Sequence, residues 1–221
     1  MDTAGHPVRR KLTTDEWMGI AFGGAVAIVA MVYLGAGHGE KLNLALRTTA
    51  RWSFLWFWPA SVGSALATLF GSRFRGLAQR GRDLGLAFAS AHLVHMGLVA
   101  LLLHEMATPF ARAPLIFFSV AAFWIYLLAI LSIGRLSAML HPTVWWLLRT
   151  VGVEYISYAF ISDFAKNPFQ GGVPHLVAYL PFITVALAGP VLRLAAWAKR
   201  LSQSRRLAIY SSGAAAAIKN S

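Results

Sequence analysis

A series of apolar runs, several of them 18 residues or longer, is separated by short polar and mostly basic segments. A run of that length matches the ~30 Å hydrocarbon layer of a bilayer when it is helical. Inside lipid the backbone has no water to bond, so each run must satisfy its own N–H and C=O groups as a helix. Composition agrees: 57% of the residues are hydrophobic and only 13% are charged, against about 25% charged in an average soluble domain. The chain has no cysteine, which excludes disulfides, thiolate metal sites, iron–sulfur clusters and a cysteine nucleophile.

The runs predict an all-α membrane protein, a bundle of six transmembrane helices with spans near 17–35, 48–70, 84–103, 114–133, 144–164 and 173–196. Residues 1–16 read as a cytoplasmic leader, not a cleaved signal, because the first apolar run is itself long enough to span. Residues 17–197 form the transmembrane domain, and 198–221 a basic cytoplasmic tail expected to be disordered from Ser211 onward, with no room for a second folded domain. Gly19, Gly23, Gly24 and Ala25 in the first span allow close helix approach. Trp52, Trp56 and Trp58 open the second span and are expected as interfacial anchors, with Arg51 snorkelling to water at the membrane edge. Pro181 and Pro190 are expected to interrupt the sixth span.

The net charge of +12, from 20 Lys and Arg against 8 Asp and Glu, does not point to nucleic acid. The basic residues lie between apolar runs, where the positive-inside rule accounts for them. Fourteen of the 20 fall at the termini and in the second-to-third and fourth-to-fifth connections, and five on the other side. That bias predicts a multi-pass protein of a bacterial-type inner membrane with both termini in the cytoplasm and the lipid bilayer as its first partner.

Ionisable residues deep inside a span are costly and mark functional sites by default. The third span carries His92 and His95, three residues apart and so on one helix face, near mid-membrane. The fifth span is the least apolar and carries Arg149, Glu154, Tyr155, Tyr158 and Asp163. Glu154 is expected at the depth of the histidines, paired with one of them or with Arg149, and Tyr158 one turn further on the same face. Arg149 is expected to reach the near surface past Trp145 and Trp146. Three roles fit the histidine pair: ligands to a haem iron, a polar contact to Glu154 or Tyr158, and transient metal binding or proton relay. His6, His38, His104, His141 and His175 are all expected at surfaces. Two histidines three apart on one helix cannot grip opposite faces of one porphyrin. No Gly-rich nucleotide loop and no serine–histidine nucleophile arrangement is present.

The segment Leu46-Arg47-Thr48-Thr49-Ala50-Arg51-Trp52-Ser53-Phe54, the basic connection after it, and Arg82-Asp83-Leu84-Gly85-Leu86-Ala87-Phe88 leading to His92 and His95 resemble the ferric reductase-like transmembrane domain family. That family includes the membrane haem subunit of the bacterial methionine sulfoxide reductase system and the membrane part of NADPH oxidases. The likeness covers roughly residues 46–165. It implies a six-helix bundle that moves electrons through haem b, with His95 at the family's ligand position and His92 as the alternative. As a possible membrane oxidoreductase subunit without its own nucleotide-binding domain, such a chain would take electrons from a separate flavoprotein, quinol or other redox partner. The fifth span departs from the family. Where Trp-x-x-Leu-His is expected, the chain reads Trp145-Trp146-Leu147-Leu148-Arg149, and Ser162 stands near the second histidine position. Met106 lies fourteen residues after His92, where the family has its outer third-span histidine. A haem-free relative with a structural, assembly or transport role is the alternative.

Overall fold

The computed structural model describes residues 12–37, 40–105, 111–165 and 172–219. They form helices α1 (Thr14–Gly35), α2 (Lys41–Phe70), α3 (Arg75–Gln79), α4 (Gly81–Glu105), α5 (Arg112–Ser132), α6 (Pro142–Phe164) and α7 (Gly172–Lys219), with short 3-10 turns at Gly71–Phe74 and Ile133–Met139. The described residues contain no strand. Five helical stretches are long and apolar enough to cross a membrane: Thr14–Gly35, Lys41–Gln79, Gly81–Glu105, Arg112–Ser132 and Leu176–Arg205. The chain is therefore an all-helical, multi-pass membrane protein. The expected fifth span, α6, is a helix of 23 residues but does not join that set. Its charged side chains keep it less apolar than the others.

The bundle closes on one aromatic layer. The Phe54 ring of α2 lies 5.2 Å from Phe160 and 5.1 Å from Phe164 of α6. Phe88 of α4 lies 5.1 Å from Phe57 and 6.0 Å from Phe160, and Phe182 of α7 stands 5.5 Å from Phe164. Small residues bring α1 in on the other side, where Ala21 and Ala25 pack on Ala87 and Ala91. A methyl group added to Gly24 would come within 2.5 Å of the Trp52 indole, which is tied down by its Nε1–H donating to the Ala21 carbonyl at 2.8 Å. Glycine at 24 is what lets α1 and α2 approach this closely.

Basic residues collect at one end of the bundle. Arg82 donates to the Ser132 carbonyl at 3.0 Å. Arg80 lies over Trp17, 5.6 Å from the ring, and Lys199 donates to the Thr68 and Leu69 carbonyls at 2.8 and 3.2 Å, capping the end of α2. The start of α1 joins them through Thr14, whose hydroxyl donates to Asp83 at 2.7 Å.

The aromatic layer fixes the relative depth of the helices, and α6 departs from the expected arrangement. Phe88 is the eighth residue of α4 and Phe160 the nineteenth of α6, yet their rings touch. At 1.5 Å per residue, α6 begins ~16 Å further toward the basic end than α4 does. It also stops at Phe164, one turn past Phe160, whereas α4 runs ~20 Å beyond His92 to Glu105. Arg149 accordingly lies at the basic end, its guanidinium beside Gly81 at the start of α4. In this cysteine-free chain, Arg149→Cys is expected to react with a membrane-impermeant maleimide added on the basic-end side. Protection until detergent is added would mean that α6 is centred in the bilayer.

Two further expectations change, and two other sets of residues gain named partners. The tryptophans opening the second span make contacts within the bundle. Trp17, Trp56 and Trp52 meet edge to face at 5.8 and 5.7 Å, and Trp58 donates to the Val185 carbonyl at 2.7 Å. Arg51 lies ten residues into α2, half-buried, its guanidinium 5.0 Å from both the Tyr179 and Phe182 rings in a cation–π arrangement. Pro181 and Pro190 do not interrupt α7, which continues through both of them because neighbouring helices can satisfy freed carbonyls in a membrane. The tail from Ser211 is helical as far as Lys219, carried on as an extension of α7. The leader up to residue 11, His6, His38, Met106 and the turn at Lys166–Gly171 lie outside the described residues, as does the side chain of His175.

Candidate functional site

His92 and His95 face inward from α4, one turn above the aromatic layer. His92 is 8% exposed, and its ring lies 5.7 Å from Phe88 and 5.3 Å from His95. Each imidazole has a hydroxyl partner from a different helix. His92 Nδ1 is 3.2 Å from the Tyr126 hydroxyl on α5, and His95 Nδ1 is 3.1 Å from the Thr49 hydroxyl on α2. A buried imidazole without a partner costs several kcal/mol in this setting, roughly the cost these two hydroxyls offset.

Both rings line a cavity of about 340 Å³, at the lower end of the ~300–1,000 Å³ typical of cofactor and ligand pockets. Its walls come from α2 (Leu46, Ala50), α4 (Met96, Leu102) and α5 (Phe118, Ala122). From α6 the lining takes Ile156, Ala159, Phe160 and Asp163. Arg47 and Asp163 are the charged residues of the lining. The cavity extends from the histidines along α4 to Leu103, away from the basic end. The early end of α6 leaves room for it.

Glu154 does not reach the histidines, directly or in depth. It lies six residues below Phe160 while His92 lies four above Phe88, so the two are ~15 Å apart along the bundle. Equal distance from the helix starts predicted equal depth, and the inward displacement of α6 breaks that equality. Glu154 instead binds Arg193 of α7 bidentately, Nε to Oε1 at 2.6 Å and Nη2 to Oε2 at 2.7 Å. Nη2 also donates to Ser157 at 2.9 Å. Nη1 is buried with no hydrogen-bond partner among the described residues. Through its bonds to Glu154, Arg193 ties α7 to α6. Tyr158 also misses the histidines. It is 59% exposed and meets Phe117 edge to face at 5.5 Å. Arg149 and Glu154 are not partners, and His104 is exposed as expected.

The sequence pairs His92 with His95 correctly but leaves out Thr49, Tyr126 and Arg193. Thr49 stood inside the segment that carries the family resemblance, with no signal that it would meet His95. Tyr126 is one of several aromatic residues on α5, and nothing local in the sequence links it to His92.

A haem held here has one imidazole face available from α4. No histidine, cysteine, methionine or tyrosine lines the wall on α6, and no group of three or more His, Asp or Glu able to hold a metal ion is present among the described residues. Both lining histidines lie on α4 and α6 brings none to the cavity, so the residues do not fit bis-histidine ligation of a haem. The site therefore defines a helical membrane protein with an apolar, histidine-lined cavity. No protein-family model, curated protein or solved structure matches the chain.

Proposed function

We propose that this protein is a ferric reductase-like electron-transfer subunit of the bacterial inner membrane, with its basic end and both termini in the cytoplasm. In this reading α6 counts as the sixth helix of the bundle although it stops short of the far side. The observation that carries the reading is the cavity: a buried imidazole, His92, and a half-buried one, His95, on one helix face open into an apolar space bounded by four helices. Bundle cores are ordinary places for such cofactors. His95 would hold a b-type haem from one side, with His92 as the alternative.

A bound haem supplies one-electron transfer. The chain supplies the rest. Thr49 and Tyr126 orient the two imidazoles, while Leu102, Phe118 and Phe160 keep water from the ring faces. Electrons would come from a separate flavoprotein, quinol or other redox partner, since the sequence carries no nucleotide-binding loop of its own.

The second reading is a haem-free relative with a structural, assembly or transport role. The α6 wall favours it, because Ile156, Ala159, Phe160 and Asp163 include no second histidine. Absorbance spectra of protein purified after expression with ample haem separate the two. The first reading expects a Soret band and, from one-sided ligation, carbon monoxide binding on reduction with dithionite. Protein without a Soret band rejects the first reading and leaves the second.

A further inference from the structure

The two histidines have similar hydrogen-bond lengths but differ in what their hydroxyl partners do next. The Thr49 hydroxyl has a single proton. It lies 2.7 Å from the Ala45 carbonyl and 3.2 Å from the Leu46 carbonyl, the i−4 and i−3 acceptors of its own helix. Thr49 is fully buried, and those carbonyls are the strong acceptors within its reach. The shorter of these bonds, to Ala45, is also shorter than the 3.1 Å separation from His95. The proton is spent on the backbone, so toward His95 the Thr49 oxygen can only accept.

We infer that Thr49 sets the tautomer of His95: Nδ1 carries the proton and donates to Thr49, and the lone pair resides on Nε2. A neutral imidazole has one donor and one acceptor nitrogen, and the bond at one fixes the role of the other.

His92 has no such determinant. Among the described residues the Tyr126 hydroxyl makes no second hydrogen bond, so it can donate to Nδ1 or accept from it. The pair is thus unequal: one imidazole with a fixed lone pair and one with either tautomer open. A ligand that coordinates or hydrogen-bonds through a lone pair meets a preset acceptor only at His95. The tautomer stands on hydrogen bonds alone; its consequence for iron rests on the haem reading of the cavity. Thr49 is then a positioning residue, acting through His95 rather than touching the ligand.

The test is imidazole nitrogen NMR on haem-free protein labelled with ¹⁵N-histidine, with His95 assigned by the signals lost in His95→Gln. The expected result is a protonated, pyrrole-like Nδ1 and an unprotonated, pyridine-like Nε2 at His95. Thr49→Ser, which keeps the hydroxyl, should preserve that pattern, and Thr49→Val should lose it to a mixture of tautomers. A protonated Nε2 at His95 in the wild type, or an unchanged pattern in a folded Thr49→Val protein, overturns the inference. Because Thr49→Val can fail to fold, the wild-type spectrum decides by itself. Haem plays no part in these measurements, so the absence of a Soret band would defeat the cofactor reading and leave the tautomer to its own result.

Discussion

His95→Ala is expected to abolish the Soret band of protein expressed with ample haem, while His92→Ala retains a band of reduced intensity. The reason lies in the surroundings of the two rings. His95 is held from α2 by Thr49, at the position the family resemblance assigns to a ligand. His92 sits deeper, packed against Phe88 and bonded to Tyr126. Under that assignment His95→Ala would remove the imidazole that holds the iron, and the α6 lining offers no histidine to replace it. Gel filtration and far-ultraviolet circular dichroism must show the variant folded. If folded His95→Ala keeps its band and His92→Ala loses it, His92 is the ligand. If both keep it, the cavity is not the haem site.

The second large effect concerns the ion pair between α6 and α7. Arg193 is 16% exposed and Glu154 46%, so the two single substitutions should differ. Glu154→Leu strands a mostly buried guanidinium that already has one unpartnered nitrogen. Breaking a fully buried pair costs about 3–5 kcal/mol; with one partner half in solvent, the expected cost is ~1–3 kcal/mol. Arg193→Met leaves a carboxylate that can still reach water and should cost less. The double substitution Glu154→Leu/Arg193→Met removes both charges and should recover part of the loss, because apolar replacements of an ion pair are often close to neutral. Thermal unfolding in detergent gives the comparison. A double variant that melts no higher than Glu154→Leu would mean that the pair is not an energetic unit.

The fifth-span departures take a physical form in the fold. Arg149 stands where a family histidine is expected, but with α6 displaced its side chain is at the basic end, beside Gly81. A histidine at 149 would lie well below the cavity. What α6 brings to the histidines is an apolar wall and, at its last turn, Asp163.

The sequence by itself determined the helical class. Apolar runs of spanning length have no alternative in lipid but to close their own hydrogen bonds, and five such stretches appear as helices. It also determined that His92 and His95 share a face, because a separation of three residues places them there on any helix. Depth between helices was not legible. Counting residues from helix starts assumes that all helices start level, and only the contact of Phe88 with Phe160 reveals that α6 does not. Partner choice was equally a tertiary matter. Thr49 lies 46 residues from His95 and Arg193 lies 39 from Glu154, and no local pattern links residues that far apart. A buried polar group must be satisfied, so the sequence demanded partners for the histidines and for Glu154; which groups served was decided by the packing of α2, α5 and α7 against them.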